Sequence, residues 1–321
     1  SDGVEGKYYV FAPDEILTIL GDEAGKAFCK AYGITERGNF EGKSIPNLVE
    51  NDNYENEYQN REAQFNLLLG YRLTRAKLYK DDKILTAWNA LMIAAFARAY
   101  FVFEKTEYLD AAIIAYDFIK NNLTDAGGRL KVRWRDGESG GDGKLDDYAF
   151  LAFAALELYG VTFDAFYLED AVRLAAMLRD KFFDDENGGF FLYASDSEQL
   201  ITRPKEIYDG AMPSGNSVAS LVFARLFALT ASMDFKETAD KQMSFVAGGI
   251  KDYPASYSFS LIAMSEFLFP PADLVCASAE ENIREELLSF LRKNKLPHIN
   301  ILLKTGKNSE PLTKIAPFTA N

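Results

Sequence analysis

Apolar residues run almost without interruption through 86–103 (TAWNALMIAAFARAYFVF), which predicts a helix buried on most of its faces. Residues 107–123 (EYLDAAIIAYDFIKNNL) carry a single apolar stripe of Leu109, Ala112, Ile113, Tyr116 and Ile119, the pattern of a helix with one face in water. Gly127-Gly128 stops this pair, and a strand-like RLKVRW follows. The plan then repeats. Residues 145–160 are nearly all apolar, 166–183 are amphipathic, and Gly188-Gly189 leads into a strand-like FFLY. Tyr108-Leu109 and Tyr167-Leu168 hold matching places 59 residues apart. A third round covers 214–230 and 235–246, with one more helix at 255–268.

Helix pairs of this kind cannot bury their apolar faces singly and must stack. Two architectures compete, an open superhelix and a closed ring of inner and outer helices. Open solenoids use repeats of roughly 34–47 residues, shorter than the repeat here, and the inner helices are apolar nearly all round. The pattern therefore predicts a mainly α fold: a toroid of helical hairpins with a small C-terminal α/β appendage. The expected boundaries are an N-terminal segment at 1–59, with an extended KYYVFA and a helix near 13–31. The toroid follows at 60–270, opening with a helix over 60–80. The appendage occupies 271–321, where ADLVCAS, a helix at 279–293 and HINILLK read as strand, helix and strand.

The chain has 321 residues, and 14% of them are aromatic, ample apolar area for such a core. The formal net charge of -13 repels phosphate backbones, so no nucleic-acid partner is expected. Cys29 and Cys276 stand in no zinc or redox spacing, which fits a reducing, cytoplasmic setting, and neither metal nor cofactor is implied. No apolar run reaches the roughly 20 residues of a membrane span, so no membrane partner is expected. Ser1-Asp2-Gly3 reads as the inside of a loop, as in a fragment of a longer protein. A toroid short of hairpins exposes apolar flanks. These predict a homodimer, or cover from 1–59 and the appendage. The lone His298 lies between Pro297 and an apolar strand and reads as structural.

Polar residues cluster just before the inner helices. The first cluster is Asp81-Asp82-Lys83 with Trp88-Asn89, and the second is Asp146-Asp147-Tyr148. The third holds Arg203, Lys205, Tyr208, Asp209, Ser214 and Asn216. Each by itself reads as capping and turn chemistry. Together they offer carboxylates, a stacking face and amide donors, the groups a sugar site requires. Parallel inner helices would bring them to one mouth. Asp82, Asp147 and Asp209 are then the candidate acid or base. Asp81, Lys83, Asn89, Asp146, Tyr148, Arg203, Lys205, Tyr208, Ser214 and Asn216 would position a small sugar or sugar-like ligand, and Trp88 would stack on it.

DDKILTAWNALMIAAFARA (81–99), KLDDYAFLAFAALELY (144–159), FFDDENGGFFLYASD (182–196) and RPKEIYDGAMPSGNSVASL (203–221) resemble the spermatogenesis-associated-protein-20-like family, which includes the YyaL-like proteins. EGKYYVFAPDEI (5–16) and GNFEGKSI (38–45) fit the same pattern. The resemblance implies the C-terminal part of a protein that joins a thioredoxin-like domain to a six-hairpin, (α/α)6-type toroid, here lacking its first hairpins. That toroid is related in shape to N-acylglucosamine 2-epimerases and six-hairpin glycosidases. Two positions depart from the family pattern: Leu78-Tyr79-Lys80 stands where Pro-His is usual, and Ala90 replaces a Gly. Related epimerases move protons with histidines, and the helical body here has none. The implied function is a carbohydrate-active or carbohydrate-binding toroid, glycosidase-like or epimerase-like. The alternatives are a non-catalytic scaffold or regulatory module of a thioredoxin-domain protein, and an open solenoid for protein partners.

Overall fold

The computed structural model describes residues 3–56, 61–198, 201–280, 283–294 and 299–320. Ser1, Asp2 and His298 lie outside them. The chain forms two compact units, Ser1–Asp82 and Lys83–Asn321.

In the first unit, α1 (Pro13–Leu20) and α2 (Asp22–Ala31) replace the single helix expected near 13–31. Gly21 separates them with φ of 81°, a left-handed conformation open to glycine and costly for other residues. KYYVFA is not a strand; its Phe11 makes only an isolated bridge to Ser44. The third helix, α3 (Glu62–Arg75), was expected to open the toroid. Instead its Leu68 joins Phe11, Ile16, Phe28, Tyr32 and Ile34 in one small core. Arg75 donates to the carbonyl of Val10 and pairs with Glu15 at 3.2 Å. The unit boundary therefore falls after Asp82 rather than at 59.

The second unit begins with a short strand, β1 (Ile84–Leu85), that runs directly into α4 (Thr86–Phe103). Helix α5 (Thr106–Asn122) returns beside it, and a hairpin of β2 (Lys131–Arg135) and β3 (Glu138–Asp142) follows. Strand β2 lies between β1 and β3, antiparallel to both. Two further helical hairpins are α6 (Leu145–Thr162) with α7 (Ala165–Lys181), and α8 (Gly215–Thr230) with α9 (Met233–Ile250). Helix α10 (Ser258–Leu268) ends the series. Glu104, Phe163 and Ala231 close the three hairpins in the same left-handed conformation, with φ of 59°, 53° and 57°. This repeated turn is invisible as a motif, because none of the three is glycine.

Helices α4, α6, α8 and α10 pack side by side as an inner row, and α5, α7 and α9 back them. Helix α6 sits between α4 and α8 and against α7, so 14 of its 18 residues are buried, two charged ones among them. Helix α4 ends the row. Its Ala90, Ile93, Ala94, Ala97 and Tyr100 are buried, while Trp88, Met92 and Val102 on one flank are exposed. By length and composition α4 could also cross a membrane, but its buried face here packs in the protein core. The fold is the expected mainly α one, a toroid-type succession of α/α hairpins.

The C-terminal segment is the expected strand, helix and strand. Strands β4 (Ala272–Ala277) and β5 (Ile299–Lys304) pair in parallel around α11 (Ile283–Asn294), and α12 (Ser309–Ile315) follows. Its Leu288, Leu291, Leu302, Leu303 and Leu312 join the main core, so it is continuous with the helices. Arg292 Nε donates to the Phe101 carbonyl at 2.6 Å, and Asn308 to that of Phe163 at 3.2 Å. Both carbonyls lie at the C-terminal ends of inner helices, so this segment closes the end opposite the helix starts. FFLY is not a strand; Phe183 and Phe190 form only an isolated bridge.

Candidate site at the starts of the inner helices

Three carboxylates lie between the starts of α4, α6, α8 and α10. Asp147, in the first turn of α6, accepts from Ala87 N of α4 at 3.0 Å and from Lys144 N at 2.8 Å. Its neighbour Asp146 lies against Gly215, the first residue of α8, whose N–H favours the charged carboxylate. A Cβ at Gly215 would stand 2.3 Å from Asp146 Oδ1, so glycine is required for this approach. Asp209 joins α8 to α10. Its Oδ1 accepts from Ser214 N at 2.8 Å and Ser217 Oγ at 2.6 Å, and its Oδ2 from Phe259 N at 2.8 Å. Each carboxylate sits at helix N-termini, where unpaired N–H groups and the helix dipole favour negative charge.

Most of the remaining candidates serve the architecture. Tyr148 is buried and its hydroxyl accepts from Leu130 N at 3.0 Å. Asn89 donates to the Leu85 carbonyl of its own helix start at 2.8 Å. Arg203 donates to the Tyr193 carbonyl at 2.8 Å and lies over the Phe191 ring at 4.2 Å. Lys205 is held by Asp184 and the Gly188 carbonyl, both at 2.6 Å. Asn216 is fully buried and clamps the N–H and carbonyl of Phe190 at 2.8 and 2.9 Å. Ser214 is the N-cap of α8, accepting from Ser217 N at 3.1 Å. Asp81 and Asp82 are exposed residues of the first unit, and Lys83 is an exposed residue of the second.

Among the candidates of the second unit, Trp88 is 60% exposed, Tyr208 is 63% exposed and Asp146 is half-buried. Burial pushes the Asp146 carboxyl above its ordinary range, and the nearby Glu206 carboxylate pushes it further, against the Gly215 N–H. Burial outweighs the two N–H donors of Asp147 and takes its carboxyl to about 7. Glu206 was not among the candidates, although it stands in the same RPKEIYDG stretch.

Sequence reasoning also missed a charge ladder along the inner row. Arg98 Nε bonds Glu157 Oε2 at 2.8 Å, and Arg225 Nη1 bonds Glu157 Oε1 at 2.7 Å. Arg225 then grips Glu266 with two bonds of 2.8 and 2.7 Å. One charge comes from each inner helix. A lone charge inside the apolar runs FARAYF, AALELY, FARLF and MSEFL was the signal available. Among the described residues, no group of three or more His, Cys, Asp or Glu side chains is placed to hold a metal.

In sequence the chain is similar to spermatogenesis-associated protein 20. The Rattus norvegicus protein is 27% identical over 99% of this chain and 45% of its own length. The Homo sapiens protein is 26% identical over 98% of this chain and 45% of its own length. The chain thus spans somewhat under half the length of these relatives. No family model matches it. Among solved structures, it overlaps a GH76 alpha-mannanase of Bacteroides thetaiotaomicron with a TM-score of 0.48 and 15% identity, covering 64% of this chain and 62% of that one. For the cellobiose 2-epimerase of Spirochaeta thermophila the TM-score is 0.43 and the identity 21%, over 50% of this chain and 42% of that one.

Proposed function

We propose that the mouth formed by the starts of α4, α6 and α8 binds a carbohydrate, with Asp146 as its acid or base. The observation that carries this reading is the state of Asp146. Asp147 and Asp209 spend both oxygens on backbone or hydroxyl donors. Asp146 is half-buried against Gly215, and burial and a second carboxylate, Glu206, hold its carboxyl above the ordinary range. Carboxylates held in unlike environments are the arrangement that acid and base chemistry on a glycosidic bond requires. Trp88 and Tyr208 supply exposed aromatic faces for a sugar ring.

A panel of mono- and disaccharides screened by thermal shift tests the reading, since a ligand that binds the native state raises its apparent stability. Asp146→Asn keeps an oxygen for Gly215 and removes the titrating group. The expected result is a saccharide-dependent rise in Tm in the wild type, with binding or turnover weakened in Asp146→Asn. No response to any saccharide, or unchanged behaviour of the variant, refutes the reading. The saturation of Asp147 and Asp209 favours a second reading, a scaffold without chemistry, in which the clusters only tie helices together.

A further inference from the structure

The three-stranded sheet adjoins the starts of α4 and α6. Strand β1 leads directly into α4 and β3 into α6, and Thr86 Oγ1 donates to the Lys131 carbonyl of β2 at 2.5 Å. Trp134 of β2 turns edge-on against Phe118 of the outer helix α5, with ring centroids 6.0 Å apart. Side chains alternate along a strand, so Lys131, Arg133 and Arg135 face away from that outer helix. In the cross-strand register, Ile84 lies opposite Trp134, which sets Lys83 beside Arg135. Lys83, Arg133 and Arg135 line one concavity of about 480 Å³, together with Asp136, Glu138 and Ser139.

The acidic residues of this sheet are largely committed. Asp142 pairs with Lys131 at 2.9 Å, and Asp136 lies 3.3 Å from Arg135 Nε. Arg133, in the middle, has no ion pair with any described residue. The residue opposite it is Gly140, where a Cβ would lie 3.2 Å from Arg133 Nη2, so the missing side chain leaves room for the guanidinium. The concavity sets three cations, Lys83, Arg133 and Arg135, against two carboxylates, Asp136 and Glu138, an excess of one positive charge in a chain of net charge -13.

We propose that this face is an oxyanion seat, and that the sugar taken at the mouth carries a phosphate or carboxylate held by Arg133. The second half rests on the carbohydrate reading; the seat itself does not. A guanidinium matches the paired oxygens of either group by two parallel N–H bonds.

Calorimetric titration of the wild type and of Arg133→Gln with mannose, mannose 6-phosphate, glucuronate and inorganic phosphate tests both halves. The wild type should prefer a charged sugar over mannose by about tenfold, the size of one charge-assisted contact. The preference should fall with added salt and collapse in Arg133→Gln. Mannose 6-phosphate against glucuronate decides between phosphate and carboxylate. Equal affinity for charged and neutral sugars, or an unchanged preference in Arg133→Gln, overturns the seat. Arg133-dependent binding of inorganic phosphate as tight as that of mannose 6-phosphate, with mannose not bound, leaves the seat standing and overturns the carbohydrate reading.

Discussion

Replacing Asp209 separates capping from chemistry. The carboxylate receives Ser214 N and Ser217 Oγ on one oxygen and Phe259 N on the other, at 2.6–2.8 Å, with Ser260 N more distant at 3.4 Å. It thereby fastens the loop before α8 to the starts of α8 and α10. Hydrogen bonds to a charged group contribute about 1.5–3 kcal/mol each, and they are not additive. The site is half-buried, so water replaces part of what is lost. Asp209→Ala should therefore cost about 3–5 kcal/mol. Asp209→Asn keeps one acceptor oxygen and should cost about half as much. For a unit of this size, the alanine variant corresponds to a Tm lower by roughly 10 °C. Urea and thermal unfolding measure the loss, and hydrogen exchange should show the Phe259 amide losing protection first. If Asp209→Ala unfolds within about 0.5 kcal/mol of the wild type, as an unremarkable surface substitution does, the tethering argument is wrong.

Two further outcomes follow from the same geometry. Arg225→Met leaves Glu157 and Glu266 buried without the cation they share, and should cost about 3–5 kcal/mol in urea unfolding. Adding Glu266→Met should recover part of that loss, and no recovery would show that the ladder does not act as a unit. The Asp147 carboxyl should take up its proton near pH 7, read by carboxyl carbon NMR, and an ordinary midpoint near 4 would refute the balance of burial over hydrogen bonding. Because its folded pKa is raised above the unfolded value, its contribution to stability is fully present below about pH 4 and is lost as pH rises through about 7.

The helices were legible in the chain because burial is written in the period of the apolar residues. The run at 86–103 predicts the helix found at Thr86–Phe103, and the paired hairpins follow from alternating all-round and one-sided apolar patterns. Strand β3 was not legible: ESGGD has no strand propensity, and it is held only by its pairing with β2. The break at Gly21 and the docking of α3 on α1 were missed for a related reason, since an amphipathic pattern does not name its partner. At the mouth, residue types foretold that Asp, Tyr, Asn and Ser would gather before the inner helices. They could not tell which carboxylates would be consumed. Asp146 and Asp147 are adjacent in sequence and alike in chemistry, yet one spends both oxygens on N–H groups while the other faces a second carboxylate. Composition and periodicity determined which segments become helices and which must be buried. Only tertiary packing decided what each polar group meets, because hydrogen-bond partners and desolvation depend on neighbours dozens of residues away along the chain.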